Sequence, residues 1–183
     1  SRGIVLMAGG LGQSYLGERS YWDDAYKAGR YRDSYEWLNT CEELWPQVKE
    51  VLGGTASAGV LHVGCGNSGF GRMLADAGHR VVNVDYSQAV IEMMRKRHPD
   101  LEWVQADCAE PGALGPEGAY DLVVDKGAID SMIEARTPKM MEKASLMVKE
   151  VHRVLRPGGK YLIFSNGTES RQEMLAERFA EPE

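Results

Sequence analysis

Apolar positions along this chain keep two spacings, and the change between them outlines the elements. Residues 1–20 are glycine-rich with little periodicity, so a loose arm is expected there. Ser20 is placed to cap a short helix over Tyr21–Ala28. Over Tyr35–Leu52 the residues Leu38, Cys41, Leu44, Trp45 and Val48 recur at helical spacing, and Pro46 should kink or split that helix. After the small-residue connector Gly53–Gly59 the pattern shortens. Val60–Val63, Arg80–Val84, Leu101–Gln105, Tyr120–Val124 and Tyr161–Phe164 read as strands. Helices fall between them: Phe70–Ala77 closed by Gly78, Gln88–His98 capped by Ser87 and stopped by Pro99, and Pro138–Leu155. The stripe of that last helix is read as Met141, Ala144, Leu146, Val148, Val151 and Leu155. Residues 111–118 form a Gly/Pro loop, residues 156–159 a sharp turn, and Thr168–Phe179 a final helix.

Strand and helix alternate, which predicts an α/β fold with a mainly parallel, doubly wound sheet. A ligand then belongs outside the carboxyl ends of the strands, near the first one, where strand order reverses. A length of 183 residues suits a single domain. The 21 basic against 27 acidic residues leave a net charge of −6, which argues against nucleic acid or an anionic membrane surface as partner. No apolar run approaches the roughly 20 residues of a membrane span. The Gly3–Leu11 stretch lacks the flanks of a signal peptide. Cytoplasmic localisation is the expectation that follows. Three scattered cysteines without a CxxC pair, and four histidines without ligand spacing, point away from disulfides and from a metal site.

The chemistry concentrates at strand ends. Gly64-Cys-Gly66-Asn-Ser-Gly69 is a GxGxxG turn between a strand and a helix, with Asp85 ending the next strand 21 residues after Gly64. Glycines there let backbone approach a ligand, and an acid at that place accepts hydrogen bonds from both hydroxyls of an adenosine ribose. The plainer alternative is a glycine-rich turn with a surface acid. Asp107-Cys108 ends the third strand, and Asp125-Lys126-Gly127 the fourth.

Together with Val154-Leu-Arg-Pro157-Gly158-Gly159, these segments resemble the class I S-adenosylmethionine-dependent methyltransferases over about residues 58–166. Tyr21-Trp22-Asp23-Asp24-Ala25-Tyr26, Tyr35-Glu36-Trp37-Leu38, Val84-Asp85-Tyr86-Ser87 and Asp125-Lys126-Gly127-Ala-Ile-Asp130 resemble the branch that includes elongation factor 1-alpha lysine methyltransferases. The resemblance implies one methyltransferase domain over 21–183, with an N-terminal helical cap over 21–57 and a cofactor-binding core over 58–166. It implies S-adenosyl-L-methionine as cofactor. Trp22, Tyr26 and Trp37 would cover it, Gly64 would contact its methionine part with Gly66 also binding the cofactor, and Asp85 would hold its ribose. Tyr86 would lie against adenine, flanked by Asp107 and Cys108, and the Lys126 loop would close the site. Asp130 is the candidate for contacting an acceptor amine; its plainer role is a helix cap. The implied acceptor is a lysine on a protein, a translation factor in that branch. A small-molecule acceptor and a noncatalytic cofactor-binding relative remain as alternatives, and so does a nicotinamide-dependent oxidoreductase. One departure stands out. Only 17 residues follow Asn166 and they read as helix, so the last strands of the family sheet are expected to be lacking.

Three weaker signals have ordinary readings. Arg95-Lys96-Arg97-His98 fits the negative end of a helix dipole, His62 a satisfied core group, and Cys65 a small packing residue.

Overall fold

A computed structural model describes residues 3–8, 17–31, 33–134 and 137–165, with residues 3–8 described for the backbone only. The strands are β1 (Gly3–Ala8), β2 (Gly59–Val63), β3 (Arg80–Asp85), β4 (Glu102–Gln105), β5 (Tyr120–Lys126) and β6 (Leu155–Ser165). The helices are α1 (Arg19–Lys27), α2 (Cys41–Leu52), α3 (Phe70–Asp76), α4 (Gln88–Arg97), α5 (Ala128–Ile133) and α6 (Pro138–Val154). The sheet runs β1-β6-β5-β2-β3-β4, and every neighbouring pair is parallel.

The central strands read as unbroken apolar runs because both faces are covered. Leu61, Val63, Val123, Tyr161 and Ile163 point to one side, against Ile129 and Ile133 of α5 and Ala144, Met147 and Val151 of α6. Val60, Leu122, Val124, Leu162 and Phe164 point to the other, against Leu44 and Val48 of α2 and Phe70 and Leu74 of α3. A third cluster joins Tyr26 of α1 to Val90, Ile91 and Met94 of α4 and to Trp103 of β4.

Several boundaries differ from the sequence reading. The arm expected to be loose over 1–20 contains a strand: β1 pairs with β6 from Gly3↔Lys160 to Ala8↔Ser165. An uncovered edge of β6 would leave a row of backbone donors and acceptors unpaired, and the apolar run Gly3–Ala8 satisfies them. That places β1 on the edge beside β6, where further strands of the family sheet were expected to be lacking; residues 166–183, with the proposed final helix, lie outside the described residues. Helix α1 starts at Arg19, so Ser20 lies inside it rather than capping it. Helix α2 starts at Cys41 and not at Tyr35, because Thr40 and Glu43 form a reciprocal capping box. Pro46 does not split α2. It stands on the exposed side, where water can take the carbonyl it leaves without a donor. Residues 156–159 bulge out of β6: Leu155 and Lys160 face Tyr120 and Leu122. In α6 it is Met140 and Met147 that are buried, while Leu146 is 39% exposed.

Candidate functional site

The chain runs outward from β2 to β4 and returns on the other side through β5, so the carboxyl ends of β2 and β5 diverge. A cavity of about 460 Å³ opens there, within the usual size range for small-molecule sites. Every residue given a site role from sequence lines it: Trp22, Tyr26, Trp37, Gly64, Gly66, Asp85, Tyr86, Asp107, Cys108, Lys126 and Asp130.

One wall is backbone at the ends of β2, β3 and β4. Gly64 and Gly66 hold φ of +56° and +51°, in the left-handed region. A Cβ on Gly64 would overlap that of Ala128, and one on Gly66 would come 2.9 Å from the Tyr26 hydroxyl. The turn thus needs glycine for its conformation and for the close approach of two other walls. Asp85 fixes the turn by accepting from the backbone N–H of Gly66 and of Ser87, both at 2.9 Å. Burial raises its carboxyl to about 6, although those N–H groups pull it down. Asp107 pairs with Lys143 of α6 at 2.6 Å, and that ammonium lies 5.3 Å from the centre of the Tyr86 ring. Burial pushes the Cys108 and Cys65 thiols up, so neither is a nucleophile; all three cysteines are free and buried.

The second wall is the junction of β5 and α5. Asp125 is wholly buried and does not line the cavity; it caps α5 by accepting from Ala128 N at 2.7 Å and Ile129 N at 3.0 Å. Burial, then the neighbouring charge of Asp130, raise it to about 7. Asp125 therefore acts on α5 and not on a ligand. Asp130 is not the cap. It lies in the first turn of α5, accepts from the Ser165 hydroxyl at 2.6 Å, and lines the cavity beside Ser131 and Glu134. The site-closing loop expected at Lys126 is the end of β5. Its ammonium, 2% exposed, donates to Glu36 Oε2 at 2.7 Å and to the Trp37 carbonyl at 2.9 Å.

The third wall is a strap over residues 17–31 and 33–39. Trp22 packs 6.1 Å from Tyr26, 6.1 Å from Tyr31 and 5.6 Å from Trp37, ring centre to ring centre. Tyr35, 42% exposed at the rim, lies 5.0 Å from Trp37. Leu38 ends the strap at φ +70°, a strained conformation for a branched residue. Tyr26 belongs both to this wall and to the core around α4. Trp103 is a buried core residue and Trp45 packs half-buried against the core; neither lines the cavity.

Sequence reasoning assigned no role to Glu36, Asn67 or Lys143. Glu36 sits between two aromatic residues in a segment already singled out, and Asn67 inside the glycine turn, which were the available signals. Asn67 donates to the carbonyls of Tyr31 and Asp33, while its buried Oδ1 has no hydrogen-bond partner among the described residues. His62 is buried, contacts Asn83 at 3.3 Å and is lowered to about 4 by burial, which fits a neutral core group. Among the described residues no group of acidic, histidine and cysteine side chains could hold a metal, and no helix is long and apolar enough to cross a membrane.

These features suit an adenosyl amino-acid ligand: a turn no Cβ can enter, a carboxylate at a strand end, an unpartnered acceptor and aromatic faces. Comparison with known proteins agrees. The profile of the methyltransferase domain family matches residues 61–163. The human eEF1A lysine and N-terminal methyltransferase is 31% identical over 155 residues, covering 82% of this chain and 22% of that protein. Bovine EEF1A lysine methyltransferase 4 is 30% identical over 160 residues, covering 79% of this chain and 59% of that protein. The chain thus spans about a fifth of the first relative and somewhat over half of the second. Among solved structures, the PH0226 protein from Pyrococcus horikoshii OT3 is 26% identical with a TM-score of 0.57, over 78% of this chain and 62% of that one. A Burkholderia thailandensis methyltransferase solved with S-adenosylhomocysteine shares the fold at 21% identity and a TM-score of 0.59, over 86% of this chain and 66% of that one. The chain belongs to the methyltransferase domain family, with the Rossmann-like fold of the class I, S-adenosyl-L-methionine-dependent methyltransferases.

Proposed function

We propose that this methyltransferase acts on a protein, at the amine of a lysine side chain. The observation that carries the reading is Asp130: a carboxylate, 7% exposed, in the cavity wall formed by α5, with Glu134 one helical turn further along. The names of the human and bovine relatives support it. Bound S-adenosyl-L-methionine supplies an activated methyl group, so the chain has to supply position and electrostatics.

In this reading Gly64 and Gly66 take the methionine end by backbone contact, and the unpartnered Oδ1 of Asn67 accepts from its ammonium. Asp85 accepts the ribose hydroxyls on lone pairs left over from Gly66 and Ser87. Tyr86 lies against the adenine, with Asp107 and Cys108 at its edge. Trp22, Tyr26 and Trp37 exclude water from above. Lys126 acts through the strap, since its ammonium is engaged by Glu36 and Trp37. Asp130 attracts the cationic lysine side chain, then orients the amine once its proton has left to water. A net charge of −6 favours a basic target within the screening length of roughly 8 Å.

The test is transfer of labelled methyl groups to a gel-resolved lysate beside a low-mass extract. A labelled protein band that disappears in Asp85→Ala, with the label on lysine after hydrolysis, is the expected result. Label confined to the low-mass fraction overturns the protein acceptor, and label in neither favours a noncatalytic cofactor-binding relative.

A further inference from the structure

The strap is tied down at several points, among them Asp23, which accepts from the Ser87 hydroxyl at 2.6 Å, and Tyr26 in the core around α4, but one side chain joins it to both other walls at once. Both carboxylate oxygens of Glu36 are shared among donors from separate segments. Oε1 accepts from the Gly69 backbone N–H at 2.8 Å, from the Cys41 thiol at 3.1 Å and from the Ser34 hydroxyl at 3.3 Å. Oε2 accepts from the Ser68 hydroxyl at 2.7 Å and from Lys126 at 2.7 Å. Ser68 and Gly69 belong to the glycine turn, Lys126 ends β5 just before the helix that carries Asp130, and Glu36 itself sits between the aromatic residues of the strap. All three walls of the cavity therefore meet on this carboxylate. Burial opposes its charge, but the Lys126 ammonium, the Ser68 hydroxyl and the Cys41 thiol hold it below the ordinary glutamate value, so it stays ionised near neutral pH.

Lys126 is the other half of the device. It donates to Glu36 and to the Trp37 carbonyl, so a single buried ammonium grips two successive strap residues. A buried pair of this kind fixes geometry more surely than it adds stability, because desolvation offsets most of the attraction. Asn67 adds an uncharged clasp on the carbonyls of Tyr31 and Asp33. Glu36 lines the cavity, yet its oxygens are occupied by protein donors, so its effect on a ligand passes through the groups it holds.

We infer that Glu36 is a positioning residue: paired with Lys126, it locks the aromatic strap onto the glycine turn and the β5 end, and so sets the depth of the cofactor cavity. The inference stands whichever acceptor the enzyme takes.

The test combines S-adenosylhomocysteine titration with hydrogen exchange. Glu36→Gln keeps the shape and removes the charge. It should retain a cooperative thermal transition, bind S-adenosylhomocysteine at least tenfold more weakly, and exchange the amides of residues 33–39 at least tenfold faster, with those of residues 102–105 unchanged. Lys126→Met should weaken binding too, and the double variant should bind no worse than the weaker single one, since each change removes the same lock. Affinity within twofold of wild type in Glu36→Gln, or losses that add in the double variant, overturns the inference. The wild-type protein gives an answer even if the variants do not fold. The Gly69 amide and those of residues 33–39 should exchange in one cooperative opening, and independent exchange of the two contradicts the lock.

Discussion

Across the cavity, the wall made by the ends of β2 and β3 faces the wall made by residues 17–31 and 33–39, and different forces hold them. Gly64, Gly66 and Asp85 stand at the ends of paired parallel strands, and the carboxylate is fixed by two backbone N–H groups. Trp22, Glu36 and Trp37 stand on a short helix and an irregular segment, held by ring contacts, an ion pair and side-chain hydrogen bonds. The first wall is part of the sheet and shares its stability. The second is docked onto the sheet, and its side chains decide how closely it docks. Damage to the first should cost fold and ligand together. Damage to the second should cost ligand far more than fold.

The comparison can be broken most forcefully at Gly64. Valine there would have to hold a left-handed backbone and displace Ala128, at a combined cost of about 3 kcal/mol. Thermal unfolding should fall by roughly 6–12 °C, with cofactor binding lost. An unchanged transition would mean that the turn is not built into the sheet.

Asp85→Ala should act next most strongly. Removing a charged acceptor from a bound ribose costs about 1.5–3 kcal/mol, or roughly 10- to 150-fold in affinity. Calorimetry with S-adenosylhomocysteine reads this directly, and binding within twofold of wild type would sink the ribose assignment.

Trp22→Ala tests the docked wall. The ring is half-buried, so the melting temperature should move by under about 3 °C. Loss of its contacts with Tyr26 and Trp37 should weaken S-adenosylhomocysteine by roughly fivefold to tenfold. A large loss of stability with unchanged affinity would make Trp22 a core residue and leave the strap without a part in binding.

The smallest effect is the response to pH, which the sheet wall should show and the docked wall should not. Burial holds the Asp85 carboxyl at about 6, above its value in an unfolded chain. Its contribution to stability is therefore present below about pH 4 and is lost as pH rises through about 6. Affinity runs the other way, because ionised Asp85 is the better acceptor for ribose hydroxyls. S-adenosylhomocysteine should bind a few-fold more tightly at pH 7.5 than at pH 5.5, and Asp85→Ala should reduce that dependence to what Asp125, held at about 7, contributes. Glu36, lowered by Lys126, should contribute nothing over the same range.

The same division explains what the sequence disclosed. Strand ends, glycine spacing and the acid of the second strand are dictated by backbone geometry within short segments, so β2 through β4 and their ligand-facing residues were legible. The wall of α5 was less so. Asp125 and Asp130 look interchangeable along the chain, and only the turn through Gly127, at φ +86°, makes one the cap and leaves the other in the cavity wall. The role of Glu36 was illegible for a plainer reason: its partners Ser68 and Lys126 lie 32 and 90 residues away, and no local rule links them. Strand β1 escaped because Gly3–Ala8 has no period of its own and pairs with an edge formed at the other end of the chain.

A crystal structure with S-adenosylhomocysteine tests the account most directly. The account predicts the ribose hydroxyls on Asp85, the adenine against Tyr86, and Trp22 and Trp37 closed over the ligand with Glu36 on Lys126. A ligand bound away from the ends of β2 and β3, or one enclosed there without any contact from residues 22–37, would contradict it.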